Sequence, residues 1–181
     1  MKNPHLSAII NSTNRDLQEK QIMKQIFESD QISFIEVSEC LIHDYLIMFS
    51  DYENVNRWFS DGERVFSVEQ ELEWVRNTLE KKAVVFSMIE KKSGMFIGNI
   101  ELKDPKDGEG ELGIVITAQM QNRGYGTEAV LAITKYGREQ LGLKRIFLRT
   151  KPYNARAIHV YKKCGFKEYD RDSVHVYMEM P

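Results

Sequence analysis

Apolar and polar positions alternate along the chain in short blocks, and each block predicts an element. Thr13-x-x-Asp16 opens as a helix cap, and Leu17, Ile22, Met23, Ile26 and Phe27 follow at mostly helical spacing. A helix is therefore expected up to Ser29 and Asp30, within an N-terminal helical extension over 1–30. Residues 32–37 (ISFIEV) are β-branched and aromatic and read as a strand, and 43–49 reads as a short helix. Residues 51–66 mix Tyr52, Trp58 and Phe59 with acids and have no clear period. They are expected to form a loop with a helical turn, serving as a pocket wall or as a plug at the core edge.

Ser67-x-x-Gln70 is a capping box, with Leu72, Val75 and Leu79 on one face of a helix reaching about Lys82. Residues 83–90 and 95–103 are strands joined as a hairpin at Lys91-Lys92-Ser93-Gly94. Residues 104–110 are dense in turn formers, and 111–117 (ELGIVIT) form a third strand, antiparallel to the second. A long helix then runs to about Leu141, with Gly142 placed as its C-cap. Strand 145–150, short helix 155–163 closed by Gly165, and strands 166–169 and 174–180 complete the chain. This order predicts an α/β (α+β) domain over 31–181, a mixed sheet with helices on both faces.

The length of 181 residues suits one domain with a sizeable core, and the 42% hydrophobic and 29% charged residues place the chain among globular proteins. A formal net charge of −2 gives no general pull toward nucleic acid. No apolar run has the length of a membrane span, and the first residues show no cleavage site for a signal peptide. Cys40 and Cys164 stand far apart without a partner motif, as expected of reduced thiols in a cytoplasmic protein. Asn11-Ser12-Thr13 then serves as a helix start and not as a glycosylation site.

The segment QNRGYGTEAV over 121–130 raises the question of chemistry. Gly124-x-Gly126-x-x-Ala129 matches the dinucleotide fingerprint. The glycines do not follow their strand directly, however, and strand 145–150 ends without an acid for a ribose. A P-loop is excluded, because no Lys-Ser/Thr follows Gly126. Two readings stay open: an anion cradle, or a glycine-rich helix start with no ligand. In the first, glycines admit a close approach, unpaired N–H groups and the helix dipole attract an anion, and Arg123 adds a full charge.

Gln121-Asn122-Arg123-Gly124-Tyr125-Gly126 resembles the Q/R-x-x-G-x-G/A signature of the GNAT superfamily of N-acetyltransferases. Asn154-Ala155-Arg156-Ala157 through Tyr161 to Gly165-Phe166 resembles the N-x-x-A-x-x-x-Y-x-x-x-G-F segment of the same superfamily, at the same order and spacing. The likeness is strong over 111–166 and extends more loosely back to Ile32, in the manner of the ribosomal-protein and polyamine acetyltransferase branches. It implies a mostly antiparallel sheet splayed at the cofactor site, acetyl-CoA as co-substrate without a metal, and direct attack by a primary amine. That amine would be a small amine, a polyamine or a peptide N-terminus. It also implies cofactor contacts from Val115, Ile116 and Thr117, from Gln121, Asn122, Arg123, Gly124, Tyr125, Gly126 and Thr127, and from Asn154, Ala157 and Tyr161.

By the same likeness Tyr161 protonates the departing thiolate. Glu111 is the first candidate for the base and Glu101 the second, with a water chain as the alternative to either. A non-catalytic acetyl-CoA sensor is the competing function, and amine-dependent CoA release separates the two. His159 and His175 lack partners at ligand spacing, and Cys164 reads as a packing residue. Asp51, Glu53, Asp61 and Glu63 would either attract a cationic amine or form a solvated face. Monomer and homodimer are both compatible with the sequence.

Overall fold

The computed structural model describes residues 23–58 and 65–180. In chain order the elements are β1 (Gln25–Glu28), β2 (Ile32–Glu36), α1 (Ile42–Ser50), α2 (Val68–Glu80), β3 (Val84–Glu90), β4 (Phe96–Lys106) and β5 (Glu109–Ile116). They continue with α3 (Tyr125–Leu141), β6 (Arg145–Thr150), α4 (Ala155–Lys163), β7 (Lys167–Arg171) and β8 (Val176–Met180). The eight strands form one sheet in the order β1-β2-β3-β4-β5-β6-β8-β7. Every pairing is antiparallel except that of β5 with β6.

Alternating side chains give the sheet two apolar faces. One carries Ile100, Leu102, Leu112, Ile146 and Leu148 and is covered by α3 through Ala129, Val130 and Ile133 and by α4 through Tyr161. The other carries Ile35, Phe96 and Val115 and is covered by Tyr45 and Met48 of α1 and Val75 of α2. Three buried polar groups on this second side satisfy one another: the Tyr45 hydroxyl lies 2.7 Å from Ser87 Oγ, which donates to Asn99 Oδ1 at 2.9 Å. The α2 capping box forms in full, with Ser67 Oγ accepting from Gln70 N at 3.3 Å and Gln70 Oε1 accepting from Ser67 N at 2.9 Å.

Three local expectations are corrected. Residues 25–28 are strand, not helix, because Phe27 stacks on Phe34 at 4.2 Å and on Tyr136 at 4.7 Å, which only an extended segment beside β2 allows. The rest of the expected N-terminal helix lies outside the described residues. The turn expected over 104–110 is shorter: β4 runs on to Lys106 and turns to β5 at Asp107 and Gly108, with φ of 55° and 82°. Pro105 is tolerated there because β3 has already ended its pairing at Leu102 and the β4–β5 register shifts between Lys103 and Lys106. Leu79 is 44% exposed, because the buried stripe of α2 runs through Glu71, Val75 and Thr78.

The feature that positions the site is the β5–β6 pair. Its parallel ladder covers only Glu109–Arg145, Gly110–Ile146 and Glu111–Phe147. Beyond Phe147, β6 pairs with β8 alone and β5 with β4 alone, so the sheet opens as a V.

Candidate active site

Main-chain hydrogen bonding on β5 decides what faces the opening. Thr117 N donates to Ile97 O at 2.9 Å, and antiparallel alternation turns Val115 and Gly113 toward β4 as well. Ile114 and Ile116 therefore present their main-chain groups to the gap. Of the three residues expected to serve an acyl donor through their backbone, only Ile116 turns its main chain to the gap. Ile114 takes the second place, Val115 packs its side chain in the second core, and Thr117 Oγ1 is buried without a hydrogen-bond partner among the described residues.

Gln121 turns out to be a brace. Its Nε2 donates to Ile116 O at 2.8 Å and to Asn54 O at 3.2 Å, and its Oε1 accepts from Arg156. The turn that follows has Asn122 at φ 60° and Gly124 at φ 90°, and Gly124 caps α3 with no side-chain acceptor. Among the described residues, no acceptor serves the N–H groups of the first turn of α3, and a Cβ built on Gly124 meets nothing within 4 Å. Open space, free donors and the positive end of a helix dipole thus coincide. Gln121, Asn122, Gly124, Gly126 and Thr127 line the cleft. Arg123 and Tyr125 do not: Arg123 is exposed, and the Tyr125 hydroxyl donates to Glu90 on β3. Glu128, which would oppose an anion here, is turned away and accepts from Ser29 Oγ at 2.6 Å and Gln31 N at 2.7 Å.

On the other wall α4 starts at Asn154, whose Oδ1 accepts from Ala157 N at 3.2 Å, leaving its amide N–H groups as donors. Ala157, Val160 and Tyr161 follow along the cleft. Tyr161 is 7% exposed, and burial pushes its phenol pKa up, so the group is a neutral acid at any physiological pH. His159 and His175 also reach the cleft, but no group of three metal-ligating side chains occurs among the described residues.

The two carboxylates expected as base candidates part company. Glu111 sits at the vertex of the V and is held by Arg149 Nε at 3.2 Å. Glu101 lies opposite Gly113, and a Cβ built on Gly113 would fall 2.7 Å from Glu101 Oε1. The missing side chain lets this carboxylate lean over β5; Glu111 lines the cleft, whereas Glu101 lines a cavity on the α1–α2 side, which meets the cleft at Gly113. Burial raises the Glu101 pKa, against a lowering by Lys103, whose Nζ lies 3.5 Å away. The 51–66 segment does form a wall, through Asn54, Val55 and Trp58. Asp61 and Glu63 lie outside the described residues.

The cleft encloses about 730 Å³ and touches a second cavity of about 310 Å³ on the α1–α2 side, with Gly113, Ile114 and Val115 in both walls. This second cavity, lined by Phe49, Phe66, Glu71, Trp74 and Glu101, was not anticipated from the sequence. Its one legible signal is Glu71, an acid on the buried stripe of α2.

Residues 39–167 match the family described as acetyltransferase (GNAT) domain. This chain belongs to the GNAT acetyltransferase family. It is accordingly an acetyltransferase, and other proteins agree with that assignment. An uncharacterised N-acetyltransferase of Bacillus subtilis (strain 168) is 31% identical over 127 residues, 66% of this chain and 75% of that protein. The spermidine N(1)-acetyltransferase of Vibrio cholerae is 27% identical over 115 residues, 61% of this chain and 64% of that protein. A structure of the V. cholerae spermidine N-acetyltransferase with CoA and spermine superposes at a TM-score of 0.74 with 18% identity, covering 84% of this chain and 96% of that one. The open V between β5 and β6 in this GNAT protein thus belongs to a shared fold. No helix among its described residues is long and apolar enough to cross a membrane.

Proposed function

We propose that the protein transfers an acetyl group from acetyl-CoA to a primary amine by direct attack. One observation carries this reading: the gap in the sheet runs without interruption from the free donors at Gly124–Thr127, past the main chain of Ile114 and Ile116, to Tyr161. Acetyl-CoA supplies an activated acyl thioester. The donors of the first turn of α3 hold its pyrophosphate, and Asn154 holds the pantetheine arm. The Ile116 N–H stabilises negative charge on the acyl oxygen.

The amine nitrogen forms a bond to the acyl carbon as the carbon–sulfur bond breaks. Glu101 takes one proton from the incoming ammonium, the Tyr161 hydroxyl donates one to the leaving sulfur, and the second proton that the nitrogen sheds on becoming an amide restores the Tyr161 phenol through water. Glu101 is preferred to Glu111 as base because Arg149 holds Glu111 at 3.2 Å, whereas Lys103 lies farther from Glu101 at 3.5 Å, partial burial raises the Glu101 pKa, and its carboxylate leans over Gly113.

Calorimetric titration with acetyl-CoA tests the reading, with NAD and ATP as controls and Gly124→Val as the damaged turn. Micromolar affinity is expected for acetyl-CoA and not for the controls. In the variant a β-branched residue at φ 90° costs roughly 1–3 kcal/mol of backbone strain and affinity drops. Folded wild-type protein that ignores acetyl-CoA refutes the proposal, and binding without amine-dependent CoA release would make the protein a sensor.

A further inference from the structure

The cavity on the α1–α2 side holds a carboxylate that the transfer chemistry does not use. Glu71 lies on the buried stripe of α2, is 4% exposed, and lines the cavity wall. No hydrogen bond or ion pair engages its carboxylate among the described residues. A carboxylate in such a place is costly to leave without a counter-charge. Burial pushes its pKa up, and its position in the first turn of α2 opposes that rise through the helix dipole.

The rest of the wall explains what could compensate it. Trp74, Phe49 and Phe66 supply aromatic faces, and among the described residues no Lys, Arg or His lines the cavity. Aromatic faces beside a carboxylate suit an ammonium carried on methylene groups, through ion pairing and cation–π contact together. The cavity also holds a second carboxylate, Glu101, where it meets the cleft at Gly113. Glu101 already has Lys103 at 3.5 Å, so the carboxylate that asks for a cation is Glu71, and a molecule whose reacting nitrogen lies by Glu101 can bring that cation on its other end.

We propose that Glu71 anchors the distal cation of the acceptor, which is a short aliphatic diamine whose other nitrogen lies by Glu101 and is acetylated. The inference rests on the transfer reading, since it takes the cleft side of Gly113 as the acyl site. Glu71 acts on specificity: it fixes the end of the acceptor that does not react.

Equilibrium binding tests it without requiring turnover. With the cleft filled by CoA, 1,5-diaminopentane and pentylamine are titrated into the wild type and into Glu71→Gln, which keeps the side-chain shape and removes the charge. Thermal melting checks the fold of each. The wild type should bind the diamine at least about tenfold more tightly than the monoamine, the scale of one charge-assisted hydrogen bond. In Glu71→Gln the diamine should weaken to the level of the monoamine, with monoamine affinity unchanged.

Equal wild-type affinity for the two ligands, or no binding of either, overturns the proposal. So does an equal loss for both ligands in Glu71→Gln. Acetyl-CoA affinity, measured on the same samples, keeps the two readings apart: its absence sinks the transfer reading, and its presence without diamine preference sinks only the role of Glu71.

Discussion

Replacing Tyr161 by Phe removes one oxygen from the heart of the proposed mechanism and little else. The ring is 7% exposed and sits 6.0 Å from the ring of Phe166, and Phe keeps that packing. The hydroxyl has no hydrogen-bond partner among the described residues, so its loss should change folding stability by less than about 1 kcal/mol. If the hydroxyl protonates the leaving sulfur, turnover should fall by about 10² to 10⁴, the usual range for a positioned general acid. That corresponds to roughly 3–5 kcal/mol of barrier.

The affinity for acetyl-CoA should stay within about twofold, because ground-state binding rests on Asn154 and the α3 donors. Steady-state release of free thiol measures the first quantity and calorimetry the second. The pH profile adds a constraint. Burial raises the phenol pKa from its ordinary 10.0, so deprotonation of Tyr161 should produce no alkaline loss of activity below that value. Parallel losses of turnover and acetyl-CoA affinity, or an unchanged turnover, would refute the assigned role.

Two further predictions concern titrating groups. A base must be deprotonated to work, and burial holds the Glu101 pKa above its ordinary 4.5. The rate should therefore fall as pH drops through a value higher than that. Glu101→Gln should lower turnover about a hundredfold or more and abolish this acidic limb, whereas a limb lost in Glu111→Gln instead would return the role to Glu111. Tyr45 is fully buried, and burial pushes its pKa up to about 12. Its folded-state value exceeds its unfolded one, so the associated stability is complete below pH 10 and is lost as pH rises toward 12. Roughly 2–3 kcal/mol should disappear across that window, as read by denaturant unfolding, and Tyr45→Phe should lack this component. A wild type and variant with the same alkaline slope would contradict the burial argument.

Much of the molecule is legible along the chain. Strands β2 to β6 are legible from the side-chain pattern within each segment, and the α2 capping box and the Gly142 cap of α3 rest on contacts within a few residues. The motif around Gly124 is equally local: a left-handed turn and a helix start leave free donors wherever they occur. What escaped was decided across the sheet. Residues 25–28 carry apolar positions that serve a helix or a strand equally well, and the stacking of Phe27 on Phe34 and Tyr136 selects the strand.

Composition and spacing likewise could not rank two acids on neighbouring strands. Register does: it places Arg149 beside Glu111 and sets Glu101 over a glycine. The cavity around Glu71 brings together α1, α2, β4 and β5, residues 49 to 115 of the chain, and no periodicity announces such a meeting. The sequence by itself determined most of the elements, their order and the glycine turn that opens α3, because these follow from side-chain periods and caps within a single segment. Tertiary structure alone decided which backbone faces the gap and which cation stands beside each carboxylate, because both depend on the partner that each strand finds across the sheet.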